Sequence, residues 1–154
     1  MKVKTVKVIS KTALETKKLA ERLAGFLFAG SLITLTGQLG AGKTTFTQGL
    51  GKGLNIEKNI TSPTFTLLKI YQGDLPLYHI DAYRLEGLSQ DLGFEDYIES
   101  DGVCVIEWSQ FISDLLPEDR INIEINILED DNRELLITAS GEKYERILDK
   151  LCIQ

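Results

Sequence analysis

Ser31-Leu-Ile-Thr-Leu-Thr36, followed directly by Gly37-Gln-Leu-Gly-Ala-Gly-Lys-Thr44, decides the fold. The second stretch has the spacing G-x-x-x-x-G-K-[ST] of a phosphate-binding loop, and the first is a short β-branched apolar run, as a buried strand should be. Glycines at 37, 40 and 42 remove side chains that would keep backbone N–H groups from wrapping a phosphate. Lys43 brings a point charge for terminal phosphate oxygens, and Thr44 brings a hydroxyl that can ligate Mg²⁺. A helix opening at this point directs its positive end at the same anion. Phe46, Leu50 and Leu54 recur at helical spacing over Thr45–Leu54, although three glycines in that stretch oppose a helix.

Outward from this loop the chain alternates element types. Residues 1–9 alternate apolar and polar and predict a strand rather than a signal peptide. Thr12 and Glu15 have capping-box spacing, and Leu14, Leu19, Leu23, Phe26 and Leu27 predict a helix to about residue 28, ended by Gly30. Residues 65–71 and 75–81 predict a hairpin around Gln72-Gly-Asp74. Residues 88–98 are acidic and helical or irregular. Gly102-Val-Cys-Val-Ile-Glu107 is the continuous apolar run of a buried parallel strand. Residues 111–116 predict a short helix before Pro117. Strands follow at 120–127 and 134–140, joined by a solvated turn at Glu129–Asn132, and a last helix spans about 141–151. No repeat, linker or low-complexity segment interrupts this order. The expectation is one α/β domain over residues 1–154, three-layered, with a mixed, mainly parallel central sheet.

Composition narrows the function. The chain has 154 residues, 43% hydrophobic and 26% charged, with a net charge of −6. No apolar run approaches a membrane span. Apart from Lys17-Lys18 there is no run of basic residues, which argues against tight binding of nucleic acid by this chain alone. Cys104 and Cys152 are too few for a disulfide framework, and Cys104 reads as a small core residue. A reducing cytoplasm is the expected location.

A phosphate loop needs acidic partners, which such folds take from the ends of neighbouring strands. Two apolar strands end in single carboxylates: Leu77-Tyr-His-Ile-Asp81 and Val103-Cys-Val-Ile-Glu107. Ser62-Pro-Thr-Phe65 reads either as an ordinary turn or as a loop whose hydroxyls sense a terminal phosphate. His79 shares a strand face with Asp81, and Tyr83 could continue it. A satisfied structural histidine and a site residue are both open readings. Arg84 fits an anion contact or a surface position, and Trp108 fits the core or a stacking surface.

Four blocks occur together, in order: residues 37–45, Ser-Pro-Thr-Phe-Thr-Leu (62–67), Tyr-His-Ile-Asp-Ala-Tyr-Arg-Leu (78–85) and Ile-Glu-Trp (106–108). In this the sequence resembles the TsaE (YjeE) family of bacterial ATPases in tRNA threonylcarbamoyladenosine synthesis, over roughly residues 5–140. The resemblance implies binding and slow hydrolysis of ATP with Mg²⁺, in concert with a TsaB–TsaD heterodimer, so that tRNA is met indirectly, through the complex. It implies ATP contacts at Gly40, Ala41, Gly42, Lys43, Thr44 and Thr45, metal ligands at Thr44 and Glu107, and catalytic roles for Asp81, Glu107 and Lys43. Ser62, Pro63, Thr64 and Phe65 match the family's switch-like loop. Two positions depart from the family pattern: Gln38 and Gln110 stand where acids are usual. A small-molecule kinase would also use this loop, but no Arg-rich lid or acceptor site is evident. A GTP switch would carry an Asn-Lys-x-Asp motif, which is absent. The turn at Ser10–Thr12 is a candidate for the adenine pocket.

Overall fold

A computed structural model of the chain describes residues 3–38, 40–61, 68–82, 96–98, 100–107 and 116–152. Its strands are β1 (Val3–Ser10), β2 (Leu32–Gly37), β3 (Leu68–Tyr71), β4 (Leu77–Asp81), β5 (Val103–Glu107), β6 (Arg120–Ile127) and β7 (Arg133–Ser140). The helices are α1 (Ala13–Ala24), α2 (Lys43–Gly53) and α3 (Glu142–Cys152). The strands form one sheet in the order β1-β7-β6-β2-β5-β4-β3. β6, β2, β5 and β4 run parallel to one another. β7 and β3 run against them, while β1, antiparallel to β7, points the same way as the central four. The sheet is therefore mixed with a parallel centre, and β3–β4 is the expected hairpin.

The strand sequences explain their places. Every residue of β4 and β5 is buried, as a central parallel position requires. β6 instead alternates buried and more open residues, matching Ile121, Ile123 and Ile125 against its polar partners. In β4 and β5 the odd-numbered Leu77, Val103 and Val105 join the core under the helices. The even-numbered Tyr78, Ile80, Cys104 and Ile106 join a second core on the opposite face. Strand alternation then sends His79, Asp81 and Glu107 to the helix side.

All three described helices share the first core through Leu19, Leu23, Phe46, Leu50, Ile147 and Leu148. Among the described residues the second face is covered by Tyr97, Ile98 and Leu116. The predicted helical segments at 88–98 and 111–116 lie largely outside the described residues.

Thr12 caps α1 as its spacing predicts: its hydroxyl accepts from the Glu15 N–H at 3.1 Å. The Glu15 carboxylate accepts from the Lys11 N–H at 2.6 Å, one residue before the usual capping-box partner. The helix is shorter than its apolar pattern predicts. Gly25, Phe26 and Leu27 each donate to the carbonyl three residues back, so the chain tightens out of α-helical geometry after Ala24 while its apolar side chains stay packed.

The glycines of α2, which argue against a helix locally, are explained by packing. A Cβ on Gly49 would lie 2.4 Å from the Lys17 carbonyl oxygen, and one on Gly53 2.6 Å from that of Glu21. Glycine lets α2 press backbone to backbone on α1. Contact with α1 offsets the roughly 1 kcal/mol that each glycine costs a helix interior. This seats the N-terminus of α2 beside the end of β2.

Candidate functional site

The site grows from the turn between β2 and α2. Gly40 and Gly42 hold φ values of 81° and 117°. A side chain is strained in that region, and the space where a Cβ would stand is open at both residues. The bare backbone thus forms a cradle that an anion can approach. The Phe46 N–H closes the first α2 turn on the Gly42 carbonyl at 2.9 Å. Ala41 N–H donates to the Gln38 carbonyl at 3.0 Å. Thr44 and Thr45 sit half-buried in the first turn of α2.

Lys43 is buried and donates from Nζ to the Gly37 carbonyl at 2.8 Å. Its side chain therefore folds back over the loop. Burial pushes its ammonium below the ordinary lysine value, while Glu107 and then Asp81 pull it back up. Both carboxylates are thus electrostatically close to the loop lysine. They are also adjacent to each other: Asp81 and Glu107 are register partners at the C-terminal ends of β4 and β5, each only 5% exposed. Leu35 of β2 pairs with Glu107, placing both acids just beside the strand that feeds the loop.

His79 lies one step deeper on the same face and is fully buried. Its Nε2 meets the Glu107 Oε2 at 2.6 Å. A carboxylate can only accept, so the imidazole donates from Nε2. Nδ1 has no hydrogen-bond partner among the described residues.

One contributor carries no sequence signal of its own. Arg133, at the start of β7, donates from Nε to the Ala41 carbonyl at 2.9 Å and from a terminal nitrogen to the Gly40 carbonyl at 3.4 Å. Its other terminal nitrogen reaches the carbonyls of Asp131 and Asn132 at 2.8 and 3.3 Å. It ties the β6–β7 turn to the outside of the glycine loop. In a trans peptide the carbonyl and the following N–H point opposite ways, so fixing the Ala41 carbonyl outward turns the Gly42 N–H inward. A lone arginine ninety residues from the loop gives no hint of this. Only the sheet order, which puts β7 two strands from β2, could reveal it.

A cleft of about 270 Å³ opens beside the loop between Lys11, Thr12, Thr16, Thr45, Asp131 and Arg133. The Ser10–Thr12 turn does meet the loop there. The Ser10 hydroxyl itself is buried against Thr16 Oγ1 at 2.7 Å and the Thr12 carbonyl at 2.8 Å, so Lys11 and Thr12 form the wall.

The residues present suit a magnesium nucleotide. An open backbone cradle, a buried cation beside it and two buried carboxylates form a chemically matched set. Among the described residues no three His, Cys, Asp or Glu side chains make a self-sufficient metal cage. Magnesium typically needs no such cage, being bound by one or two side chains together with phosphate oxygens and water. Ser62, Pro63, Thr64, Phe65, Tyr83, Arg84, Trp108 and Gln110 lie outside the described residues.

A glycine loop between a buried strand and a helix, with acids at the ends of the next parallel strands, places the chain in the phosphate-loop-like α/β class. Comparison with known proteins narrows this further. The family model described as threonylcarbamoyl adenosine biosynthesis protein TsaE matches residues 10–135. The tRNA threonylcarbamoyladenosine biosynthesis protein TsaE of Bacillus subtilis is 48% identical over 138 residues, covering 89% of this chain and 87% of that one. The protein of the same description from Treponema pallidum is 42% identical over 134 residues, covering 86% and 99%. The crystal structure of Bacillus subtilis YdiB superposes with a TM-score of 0.83 at 41% identity, covering 98% of this chain and 96% of that one. The chain belongs to the TsaE family. Among the described residues no helix is long and apolar enough to cross a membrane.

Proposed function

We propose that this chain is an ATPase that binds Mg-ATP on residues 40–45 and hydrolyses it slowly. It serves tRNA threonylcarbamoyladenosine biosynthesis together with TsaB and TsaD, in the cytoplasm. The observation that carries the reading is the register pairing of Asp81 with Glu107 beside buried Lys43, under a loop whose Gly40 and Gly42 backbone is open. Two buried acids at adjacent strand ends are costly for a fold unless a cation or a reacting group uses them.

In this reading each residue has one task. The backbone of Gly40–Thr45 and the N-terminus of α2 receive the phosphates. Lys43 leaves the Gly37 carbonyl for phosphate oxygens. Thr44 and Glu107 hold Mg²⁺, which when bound neutralises charge on those oxygens. Asp81 orients the attacking water and accepts its proton. The cleft walled by Lys11 and Thr12 takes the adenine. The net charge of −6 suits a subunit that leaves the tRNA to its partners.

Isothermal calorimetry with ATP and Mg²⁺ tests the binding half. Saturable heat is expected from the wild type, and none from Lys43→Ala. Phosphate release measured with and without TsaB–TsaD tests the rest. Turnover should be slow alone and rise with the partners. A folded protein that gives no heat with Mg-ATP, or a rate indifferent to the partners, would remove the corresponding half.

A further inference from the structure

We infer that His79 is the positioning residue for Glu107: its Nε2–H takes one carboxylate oxygen and leaves the other to bind the cation. This rests on the magnesium nucleotide site proposed above.

Three observations carry it. The first is reach. His79 pairs with Val105 across β4–β5, and Glu107 lies two residues further along β5 on the same face. The imidazole must lean diagonally along the strands to meet Glu107, and it does so at 2.6 Å. The second is cost. Leu77, Val103 and Val105 share this face of the two strands, so the apolar surroundings themselves do not call for a polar side chain. The histidine instead leaves Nδ1 buried with no partner among the described residues, which packing alone would not favour. The third is place. A hydrogen bond from a buried ring to one oxygen fixes the rotation of the carboxylate about its last bond. Groups held behind a metal ligand in this way typically alter metal affinity by about 10–100-fold when removed.

A merely structural pair predicts something else: loss of thermal stability with an unchanged demand for Mg²⁺. The two are separated by titrating Mg²⁺ against a fluorescent ATP analogue at equilibrium, beside binding of the analogue in EDTA and thermal melting. His79→Leu should need roughly 10–100-fold more Mg²⁺ for half-maximal binding. Its binding in EDTA should match the wild type. His79→Gln, whose amide can stand near the Nε2 position, should recover most of the Mg²⁺ dependence. His79→Asn, whose shorter amide stands nearer Nδ1, should not. If His79→Leu fails to fold, the ordering of Gln over Asn carries the test alone. An unchanged Mg²⁺ midpoint in His79→Leu, or equal midpoints for Gln and Asn, overturns the inference while the ATP site stands. A wild type that binds the analogue equally with Mg²⁺ and EDTA overturns the inference and the metal assignment beneath it.

Discussion

The two halves of the sheet are built on opposite rules. In β2, β5 and β4, all parallel, most polar side chains are buried: Thr34, His79, Asp81 and Glu107 are each at most 5% exposed. In β1, β7 and β6, joined antiparallel, most polar side chains alternate toward solvent and the apolar ones toward α1 and α3. The second half needs no explanation beyond amphipathic packing. The first does, because solvation lost by a buried acid must be replaced by a partner. Where the fold accepts that cost, the candidate chemistry is found. The antiparallel half adds Arg133, which acts on the loop from behind.

The largest expected effect tests the buried acids. Asp81→Asn and Glu107→Gln should each slow phosphate release by about 10²–10³-fold, with nucleotide affinity largely kept for Asp81→Asn. Single-turnover rates beside calorimetry would separate these. If hydrolysis survives in both, the buried acids of the parallel half have no catalytic role and the contrast loses its meaning.

Next is the helical cover that aims α2. Gly49→Val would drive a side chain into the Lys17 backbone and the Ala20 methyl. A loss of about 1–3 kcal/mol is expected from denaturant melts, since the obstruction is main chain and cannot rotate away. A neutral result would show that α1 and α2 are not in the close contact described.

A third test uses Cys104, whose thiol burial pushes up to about 12 from 9.0. The native state keeps its proton while the unfolded state releases it above pH 9.0, so stability falls as pH rises from there to about 12. The slope is at most about 1.4 kcal/mol per pH unit. Cys104→Ala should remove this part of the alkaline loss. With a thiol reagent at neutral pH, the native protein should label at exposed Cys152 and not at Cys104.

The smallest effect sharpens the contribution of the antiparallel half. Arg133→Ala releases the Gly40 and Ala41 carbonyls and should weaken ATP binding about fivefold, near 1 kcal/mol. The hydrolysis rate at saturation should hardly change, because no reacting group moves. A fall in that rate with unaltered affinity would mean Arg133 touches the chemistry itself.

Much of this was legible along the chain. The loop at 37–44 declares itself because phosphate binding fixes residue types at fixed local spacing. The strands declare themselves because β4 and β5 are buried on both faces, while β6 is buried on one. The apolar pattern alone runs α1 too far, because it persists through Phe26 and Leu27 after the backbone has tightened. The α2 glycines spoke against a helix because their reason lies on α1.

The order of residues alone thus established the glycine loop, the strand-end acids and the alternation that puts His79 and Asp81 on one face. These depend on neighbours within a few positions. Folding decided that Asp81 stands beside Glu107, that His79 reaches across to the same carboxylate, and that Arg133 braces the loop. Each joins strands distant in sequence, and which strands lie side by side is set by burial of the whole sheet rather than by any local preference.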